Sequence, residues 1–229
     1  MPPEANVEAA LRGVGLFADV SEEDLTELAA NARVRNFPRR QIVFSRGDPS
    51  DTLIVVLSGR VQIIVRSVDG GELILAVLGE GDVLGEPSLA DGGPRSADAQ
   101  TADDTTLLII PREAVVSLAR HDAAVAMTML AYVSATLRRL TDLTEDLVFL
   151  DLPRRVAKIL LGAPTGADGE VDLAMSQEQL AHRVGGTRQS VNGALRGFER
   201  RGWIAMHGRR VTIQQADALA RFAGEVSGT

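Results

Sequence analysis

Six short runs of β-branched and aliphatic residues follow one another through the first half of the chain, and glycine-containing turns separate several of them. The runs are Val34–Phe37, Ile42–Ser45, Leu53–Leu57, Val61–Val65, Leu73–Leu78 and Leu107–Ile110. Short strands at this spacing are typical of an antiparallel barrel, roll or sandwich. A short helix is expected before them, within Val14–Ala30, because Ser21 and Asp24 have the spacing of a capping box.

Helical periodicity replaces this pattern after Pro111, and the longest helix is predicted over Val125–Leu150. Its apolar positions step by three and four residues through Leu130, Val133, Leu137, Leu140, Thr144 and Leu147. Such a narrow stripe on a long helix favours a parallel two-helix dimer, although an amphipathic helix lying on its own domain gives the same pattern. Asp151 and Pro153 then predict the start of a new helix, because Asp is a good cap and proline is tolerated in a first turn.

The charge of the chain changes sign at the same place. Residues 151–229 carry eleven basic and eight acidic side chains, a net charge of +3. The rest of the chain has a net charge of −10, which gives −7 for the whole chain. A basic segment attached to an acidic body is typical of a nucleic-acid-binding domain joined to something else. Three segments are therefore predicted: a β-rich domain over 1–124, a dimerisation helix over 125–150 and a DNA-binding domain over 151–229.

The C-terminal segment carries the pattern of a winged helix-turn-helix. Ser176 and Gln179 form a capping box, Gly185-Gly186 interrupts the helix that follows, and Thr187 begins a second helix that ends near Arg201. A hairpin after Trp203 would form the wing. A small helical cap with solvated arginines is the alternative interpretation.

The second helix of such a unit enters the major groove with its N-terminal residues. Arg188 can pair with guanine and Gln189 with adenine, whereas Thr187 and Ser190 are placed to contact phosphates. The residues predicted to contact DNA are Thr187, Arg188, Gln189, Ser190, Asn192, Arg209 and Arg210.

A second constellation, in the β-rich segment, is suited to a phosphate. A glycine permits a tight turn, a short helix beginning near Pro87 directs N–H groups outward, and Arg95 supplies a guanidinium. Glu86 can accept a ribose hydroxyl. The predicted ligand residues here are Gly85, Glu86, Pro87, Ser88, Arg95 and Ser96. An Arg95–Glu86 ion pair that closes a loop is the structural alternative.

Several classes of protein are excluded or disfavoured. The chain has no cysteine, which excludes disulfides, cysteine-ligated metals and thiol nucleophiles. It lacks the common hydrolase, metalloprotease and P-loop motifs, and its three histidines are poorly placed for catalysis or haem, so neither an enzyme nor a metal site is expected. The longest apolar run is far shorter than a membrane span, and the N-terminus does not have the pattern of a secretory signal. A cytoplasmic protein with no membrane partner is expected.

These motifs together resemble the Crp/Fnr superfamily of bacterial transcription regulators, over about Leu16–Phe222. The resemblance rests on Gly47-Asp48, Ser58-Gly59, Gly85-Glu86, Pro94-Arg95-Ser96-Ala97, Phe149-Leu150-Asp151, Arg155-Val156-Ala157 and the helix-turn-helix. It implies an α+β fold with an N-terminal cyclic-nucleotide-binding β-roll, a long dimerisation helix and a C-terminal winged helix-turn-helix. It also implies a homodimer that binds two-fold-related double-stranded DNA, with RNA polymerase as a further partner.

The chain departs from the family pattern where cyclic-AMP-binding members recognise the base. The corresponding positions are Thr136, Leu140 and Thr141. Only Thr141 keeps a useful hydroxyl, so Thr141 is added to the predicted ligand residues. Pro87 also lacks the N–H that the family usually offers to the phosphate. Three alternatives follow: weak binding of cyclic AMP, binding of another nucleotide such as a cyclic guanine compound, or activity without ligand. No tightly bound cofactor is expected.

Overall fold

The computed structural model describes residues 4–18, 20–163, 170–171, 176–207 and 210–224. They form two compact units, the first comprising residues 1–65 and 75–140 and the second residues 66–74 and 141–229. Where an element crosses this division, its parts belong to different units.

The first unit consists of two antiparallel sheets with helices on one side. Its helices are α1 (Glu4–Arg12), α2 (Glu22–Asn31), α3 (Pro87–Asp91), α4 (Arg112–His121) and the first part of α5 (Ala123–Phe149). Its strands are β1 (Arg33–Phe37), β2 (Ile42–Phe44), β3 (Thr52–Ser58), β4 (Val61–Arg66), β5 (Glu72–Leu78), β6 (Val83–Leu84), β7 (Asp98–Thr101) and β8 (Thr105–Pro111). One sheet has the order β1-β8-β3-β6 and the other β2-β7-β4-β5.

The central strand β3 is apolar at five consecutive positions, from Leu53 to Leu57, because residues on both of its faces are buried. Leu53 and Val55 pack into a core with the helices, whereas Ile54 and Val56 pack into a second core between the sheets. Successive side chains of a strand point to opposite faces, so a strand that is buried on both faces loses the usual alternation. The same division holds for β8, which pairs with β3 residue by residue from Leu53↔Ile110 to Val56↔Leu107.

The second unit is a helical bundle with a small sheet. It contains α6 (Leu152–Leu161), α7 (Gln177–Val184), α8 (Arg188–Arg200) and α9 (Ala216–Ala223), with strands β9 (Glu170–Val171), β10 (Ile204–His207) and β11 (Arg210–Ile213). Apolar side chains of all four helices and of β10 and β11 share one core. Phe198, Trp203 and Phe222 form an aromatic cluster within it, with ring centroids 5.4–5.9 Å apart.

The predicted fold class is confirmed: a β-roll with flanking helices, a long helix and a winged helix-turn-helix. The predicted caps are confirmed as well. Ser21 accepts a hydrogen bond from the Asp24 N–H, Asp151 accepts one from the Arg154 N–H, and Ser176 and Gln179 form both bonds of the capping box. The sequence interpretation did not identify α1 or the short strands β6, β7 and β9. It also predicted one helix within Val14–Ala30, where a 3-10 turn (Gly15–Phe17) precedes α2.

Candidate functional site

A cavity of about 310 Å³ opens in the first unit, between the β4–β5 side of the roll, α3 and α5. It brings together the six residues predicted for the phosphate site, Gly85, Glu86, Pro87, Ser88, Arg95 and Ser96. The rest of its wall is largely apolar and comes from Phe44, Ile63, Leu75, Ala76, Leu78, Leu84, Ala97, Thr136, Arg139 and Leu140. A mostly apolar cleft with a few convergent polar groups is the usual form of a small-molecule site.

Arg95 is the most unusual residue of this cavity, because its side chain is only 4% exposed. Its Nη2 donates to the Thr52 carbonyl at 2.8 Å and to Thr52 Oγ1 at 2.9 Å, and the guanidinium lies 4.3 Å from the centroid of the Phe44 ring. Its Nε and Nη1 are buried and have no hydrogen-bond partner. A buried donor without a partner costs about 1–3 kcal/mol, so these two groups fit a site that is completed by an external acceptor.

The charge on Arg95 persists despite this burial. Desolvation lowers the pKa of the guanidinium, and the nearby carboxylates of Asp51, Asp48 and Glu86 act in the opposite direction. Arginine stays protonated in proteins, so the cavity wall contains a fixed positive charge with two unpaired nitrogen donors, Nε and Nη1. A phosphate oxygen is the acceptor that this geometry suits best.

Gly85 makes room for this guanidinium. Its φ is +95°, a conformation that L side chains rarely adopt, and a Cβ at this position would collide with Arg95 Nη1. The requirement for glycine therefore has two independent causes, backbone conformation and close approach. Pro87 occupies the first turn of α3, so the Ser88 N–H is the first backbone donor that this helix offers.

Glu86 makes a contact across the cavity to α5. Thr136 Oγ1 donates to Glu86 Oε1 at 3.1 Å, and Arg139 Nη2 donates to Thr136 Oγ1 at 3.3 Å. The alternative interpretation, an Arg95–Glu86 ion pair that closes the loop, differs from the bonds observed. Arg95 donates instead to Thr52, and Glu86 accepts from Thr136.

The predicted ligand residue Thr141 is not part of the described cavity wall. Thr136, Arg139 and Leu140 share one face of α5, whereas Thr141 lies about 140° around the helix from Thr136. The sequence interpretation thus missed Arg139 and Phe44. The three- and four-residue spacing from Thr136 could have indicated Arg139, but only tertiary structure brings Phe44 from a separate strand.

The second unit contains the predicted helix-turn-helix. Gly185 ends α7 in the left-handed conformation with φ +64°, and Thr187 caps α8 by accepting from the Ser190 N–H at 3.2 Å. The hydroxyls of Thr187 and Ser190 are also 2.9 Å apart and exposed. Val191, Leu195 and Phe198 are buried on the inward face of α8.

The opposite face of α8 is polar and open. Arg188, Gln189 and Gly193 are exposed, whereas Asn192 is half-buried and its Nδ2 donates to Gln177 Oε1 at 3.5 Å. Arg196 and Arg200 are exposed on the same face, one and two turns beyond Asn192. The sequence interpretation did not single out these two arginines, although their spacing from Gln189 by seven and eleven residues could have identified them. Arg210 is exposed at the start of β11, and Arg209 lies outside the described residues.

The apolar stripe of α5 is largely open in this single chain. Met127, Leu130, Val133, Leu137 and Leu140 are exposed, with Leu137 at 65%. Leu147 instead lies beside Gly185 in the second unit, and its neighbour Val148 is 66% exposed. The exposed stripe therefore follows the predicted apolar positions as far as Leu140. Near the end of α5 it includes Val148 rather than the predicted Leu147.

Two negative findings concern the described part of the chain. No group of three or more His, Asp or Glu side chains there could hold a metal ion. No single described helix is long and apolar enough to cross a membrane, and only α4 and α5 taken together, bent by 120°, meet the length and composition of a span.

Comparison with known proteins gives two family matches and many relatives. Residues 34–122 match the cyclic nucleotide-binding domain, and residues 154–222 match the Crp-like helix-turn-helix domain. The CRP-like cAMP-activated global transcriptional regulator of Mycobacterium tuberculosis is 35% identical over 219 residues, which cover 93% of this chain and 98% of the relative.

Two solved structures have a similar fold over most of this chain. FixK2 from Bradyrhizobium japonicum superposes with a TM-score of 0.76 at 23% identity, covering 86% of this chain and 99% of that one. The c-di-GMP responsive global regulator CLP of Xanthomonas campestris superposes with a TM-score of 0.74 at 27% identity, covering 84% and 99%.

Proposed function

The chain belongs to the Crp/Fnr family of transcription regulators, and from this membership we propose that a cyclic nucleotide in the roll controls the binding of a homodimer to DNA. Its relatives and its fold are those of DNA-binding regulators rather than enzymes.

The observation that carries the nucleotide proposal is Arg95. Arg95 lines the cavity together with Gly85 and Ser88, and its buried guanidinium has two donor atoms without a hydrogen-bond partner. A bound phosphate would supply the missing acceptors. We assign Ser88 and Ser96 to the phosphate oxygens and Glu86 to the ribose hydroxyl. The relative from M. tuberculosis is named as cAMP-activated, which supports a cyclic nucleotide as the class of effector.

The DNA-binding role falls to the exposed face of α8 and to the wing. We assign base contacts to Arg188, Gln189 and Asn192, and phosphate contacts to Thr187, Ser190, Arg209 and Arg210. Gln189 and Gly193 stand where the family commonly has glutamate and a basic residue, so the half-site should differ from the usual family consensus. Binding competition with single-base operator variants tests this assignment, and an unchanged preference for the usual consensus would contradict it.

The homodimer is proposed from the exposed stripe of α5. A helix of 27 residues with Leu130, Val133, Leu137 and Leu140 exposed fits a parallel pairing with a second copy. Two copies would present two α8 helices at the spacing of successive major grooves, about 34 Å. RNA polymerase as a partner, a cytoplasmic location and the domain bounds 1–124, 125–150 and 151–229 belong to the same proposal.

The coupling is proposed to run along α5, which contributes to both units. Thr136 and Arg139 line the cavity, and the end of the same helix is held by Arg155, whose Nη1 donates to the Leu147 and Leu150 carbonyls at 3.3 and 3.0 Å. Lys158 also pairs with Asp146 at 2.7 Å. A ligand that prefers one arrangement of α5 would shift the population of DNA-binding geometries.

Calorimetry and DNA binding test the proposal together. Cyclic AMP and cyclic GMP are titrated into the chain and into the Arg95→Ala variant, with Arg33→Ala as a matched exposed control. Arg95→Ala should lose at least tenfold in affinity, and Arg33→Ala should bind as the parent does. Fluorescence anisotropy with genomic DNA fragments at low salt then measures the effect of the ligand.

A second candidate keeps the DNA-binding function without a ligand. Its support is the change of the family's base-recognition positions to Thr136 and Leu140. Unaltered DNA affinity with saturating nucleotide would favour this candidate and contradict the coupling.

A further inference from the structure

The side of the cavity formed by α5 carries only two polar side chains among its described residues, Thr136 and Arg139. They are connected to the opposite wall through Glu86, whose Oε1 accepts from Thr136. The phosphate and ribose groups of a nucleotide would occupy the Arg95 side, as proposed above, which directs the base toward α5. What α5 offers there therefore determines which base is preferred.

The hydrogen bonds on this side have a definite direction. Thr136 has one hydroxyl hydrogen, and it is donated to Glu86 Oε1, while the same oxygen accepts from Arg139 Nη2. Leu140, at the neighbouring position, has no polar side-chain atom. The base is thus left to meet the guanidinium of Arg139, which is exposed and has five N–H groups but no acceptor.

Guanine and adenine differ in how they match a group that only donates. The edge of guanine presents two acceptors, O6 and N7, and a guanidinium pairs with both of them in a fork. The same edge of adenine presents one acceptor, N7, beside the N6 amino donor, which would face another donor. The cavity volume of about 310 Å³ is at the lower end of the range for small-ligand sites, which fits one cyclic mononucleotide better than a cyclic dinucleotide.

We propose that Arg139 selects a guanine base, so that the effector is cyclic GMP rather than cyclic AMP. This inference rests on the proposed nucleotide site and specifies its ligand. Thr136 acts as a positioning residue, because it holds the guanidinium of Arg139 and connects it to Glu86.

Calorimetry on the full chain with cyclic GMP, cyclic AMP, cyclic IMP and cyclic di-GMP tests the selectivity. Cyclic IMP keeps O6 and N7 but lacks the 2-amino group, so it isolates the edge that Arg139 would contact. We expect cyclic GMP and cyclic IMP to bind with similar affinity and about tenfold more tightly than cyclic AMP. Equal affinity for the three mononucleotides, a preference for cyclic AMP, or tighter binding of cyclic di-GMP would overturn the inference.

The variant Arg139→Gln gives the second arm of the test. Glutamine pairs with adenine N6 and N7, so this change should reverse the preference toward cyclic AMP. Arg138→Gln is the matched control, since Arg138 is the adjacent exposed arginine outside the described cavity wall. It should leave the ratio of affinities unchanged.

Different results would refute base selection by Arg139 and nucleotide binding by the cavity. An unchanged ratio in Arg139→Gln, with the parent thermal unfolding curve, would overturn base selection and leave nucleotide binding in place. If none of the nucleotides binds to the chain or to either variant, the proposed nucleotide function is wrong, and base selection is refuted with it.

Discussion

At the scale of single residues, the cavity depends on one buried cation and the glycine beside it. Arg95 is held by Thr52 and Phe44, and its Nε and Nη1 have no hydrogen-bond partner. Gly85 permits this arrangement because any side chain would occupy the position of Arg95 Nη1. These unpaired buried donors lower the stability of the folded chain until an acceptor binds to them.

Comparing Gly85→Ala with Gly81→Ala separates the effect of backbone strain from that of a collision with the Arg95 side chain. Both glycines have positive φ, +95° and +83°, but a Cβ at Gly81 would have no atom within 4 Å. Each change should lower the free energy of unfolding by about 1–3 kcal/mol through strain alone. Only Gly85→Ala should also displace Arg95 and weaken nucleotide binding at least tenfold, as measured by calorimetry. Equal nucleotide affinity in the two variants would refute the proposed role of Gly85.

At the scale of elements, the caps determine where the helices begin. The two caps Ser21 and Ser176 each accept a hydrogen bond from the backbone three residues on, and each serves a different unit. Ser176 has the additional bond in which its own N–H donates to Gln179 Oε1 at 2.8 Å. The start of α7 is therefore fixed by two reciprocal bonds, and the position of the turn before α8 follows from it.

Replacing these caps should destabilise one unit at a time. Ser176→Ala should lower the stability of the second unit by about 0.5–2 kcal/mol, because a cap is lost. Trp203, the only tryptophan of the chain, lies in that unit and reports its unfolding by fluorescence. Ser21→Ala should leave the Trp203 transition in place and should not alter DNA affinity. If Ser21→Ala shifted the unfolding transition of Trp203 as much as Ser176→Ala does, the two units would not unfold independently.

At the scale of the whole molecule, the apolar stripe of α5 and the basic face of α8 point to assembly and to DNA. The stripe exposes several large aliphatic side chains in one row, which a single chain leaves in contact with water. Arg196 and Arg200 extend the exposed face of α8 beyond the residues predicted from the sequence. We propose that both features act through a partner, a second copy of the chain for the stripe and a DNA duplex for the face.

The variant Leu137→Asp tests the assembly. A charge in the middle of the proposed seam should disrupt pairing, because a buried unpaired carboxylate is strongly unfavourable. Sedimentation should then show a particle of 24.4 kDa, and DNA affinity should fall as well. Val68→Asp is the matched control, since Val68 is fully exposed but lies outside α5. A parent chain that sediments as a monomer at every concentration would refute the homodimer.

The salt dependence of DNA binding tests the two additional arginines. Arg196→Gln and Arg200→Gln should each reduce the slope of log K against log salt by about 1 if each contacts a phosphate. They should weaken binding to all sequences alike. Arg188→Gln should instead change the preference for one base pair of the operator. Titration by anisotropy at several salt concentrations distinguishes the two roles. An unchanged slope would show that Arg196 and Arg200 do not contact phosphates.

The sequence by itself determined the class of fold, the caps, the helix-turn-helix and the grouping of Gly85 with Arg95, because these depend on local spacing and on residue chemistry. Ser176 with Gln179, and Gly85 with Arg95, are close enough in the chain for the pattern to be recognised directly. The tertiary structure alone decided which residues of α5 line the cavity, that Phe44 lies against Arg95, and that Leu147 lies beside Gly185. Helical periodicity gives the relative angles of side chains but not the absolute rotation of the helix. That rotation is set by packing against distant strands and helices, and it places Arg139 at the cavity instead of Thr141.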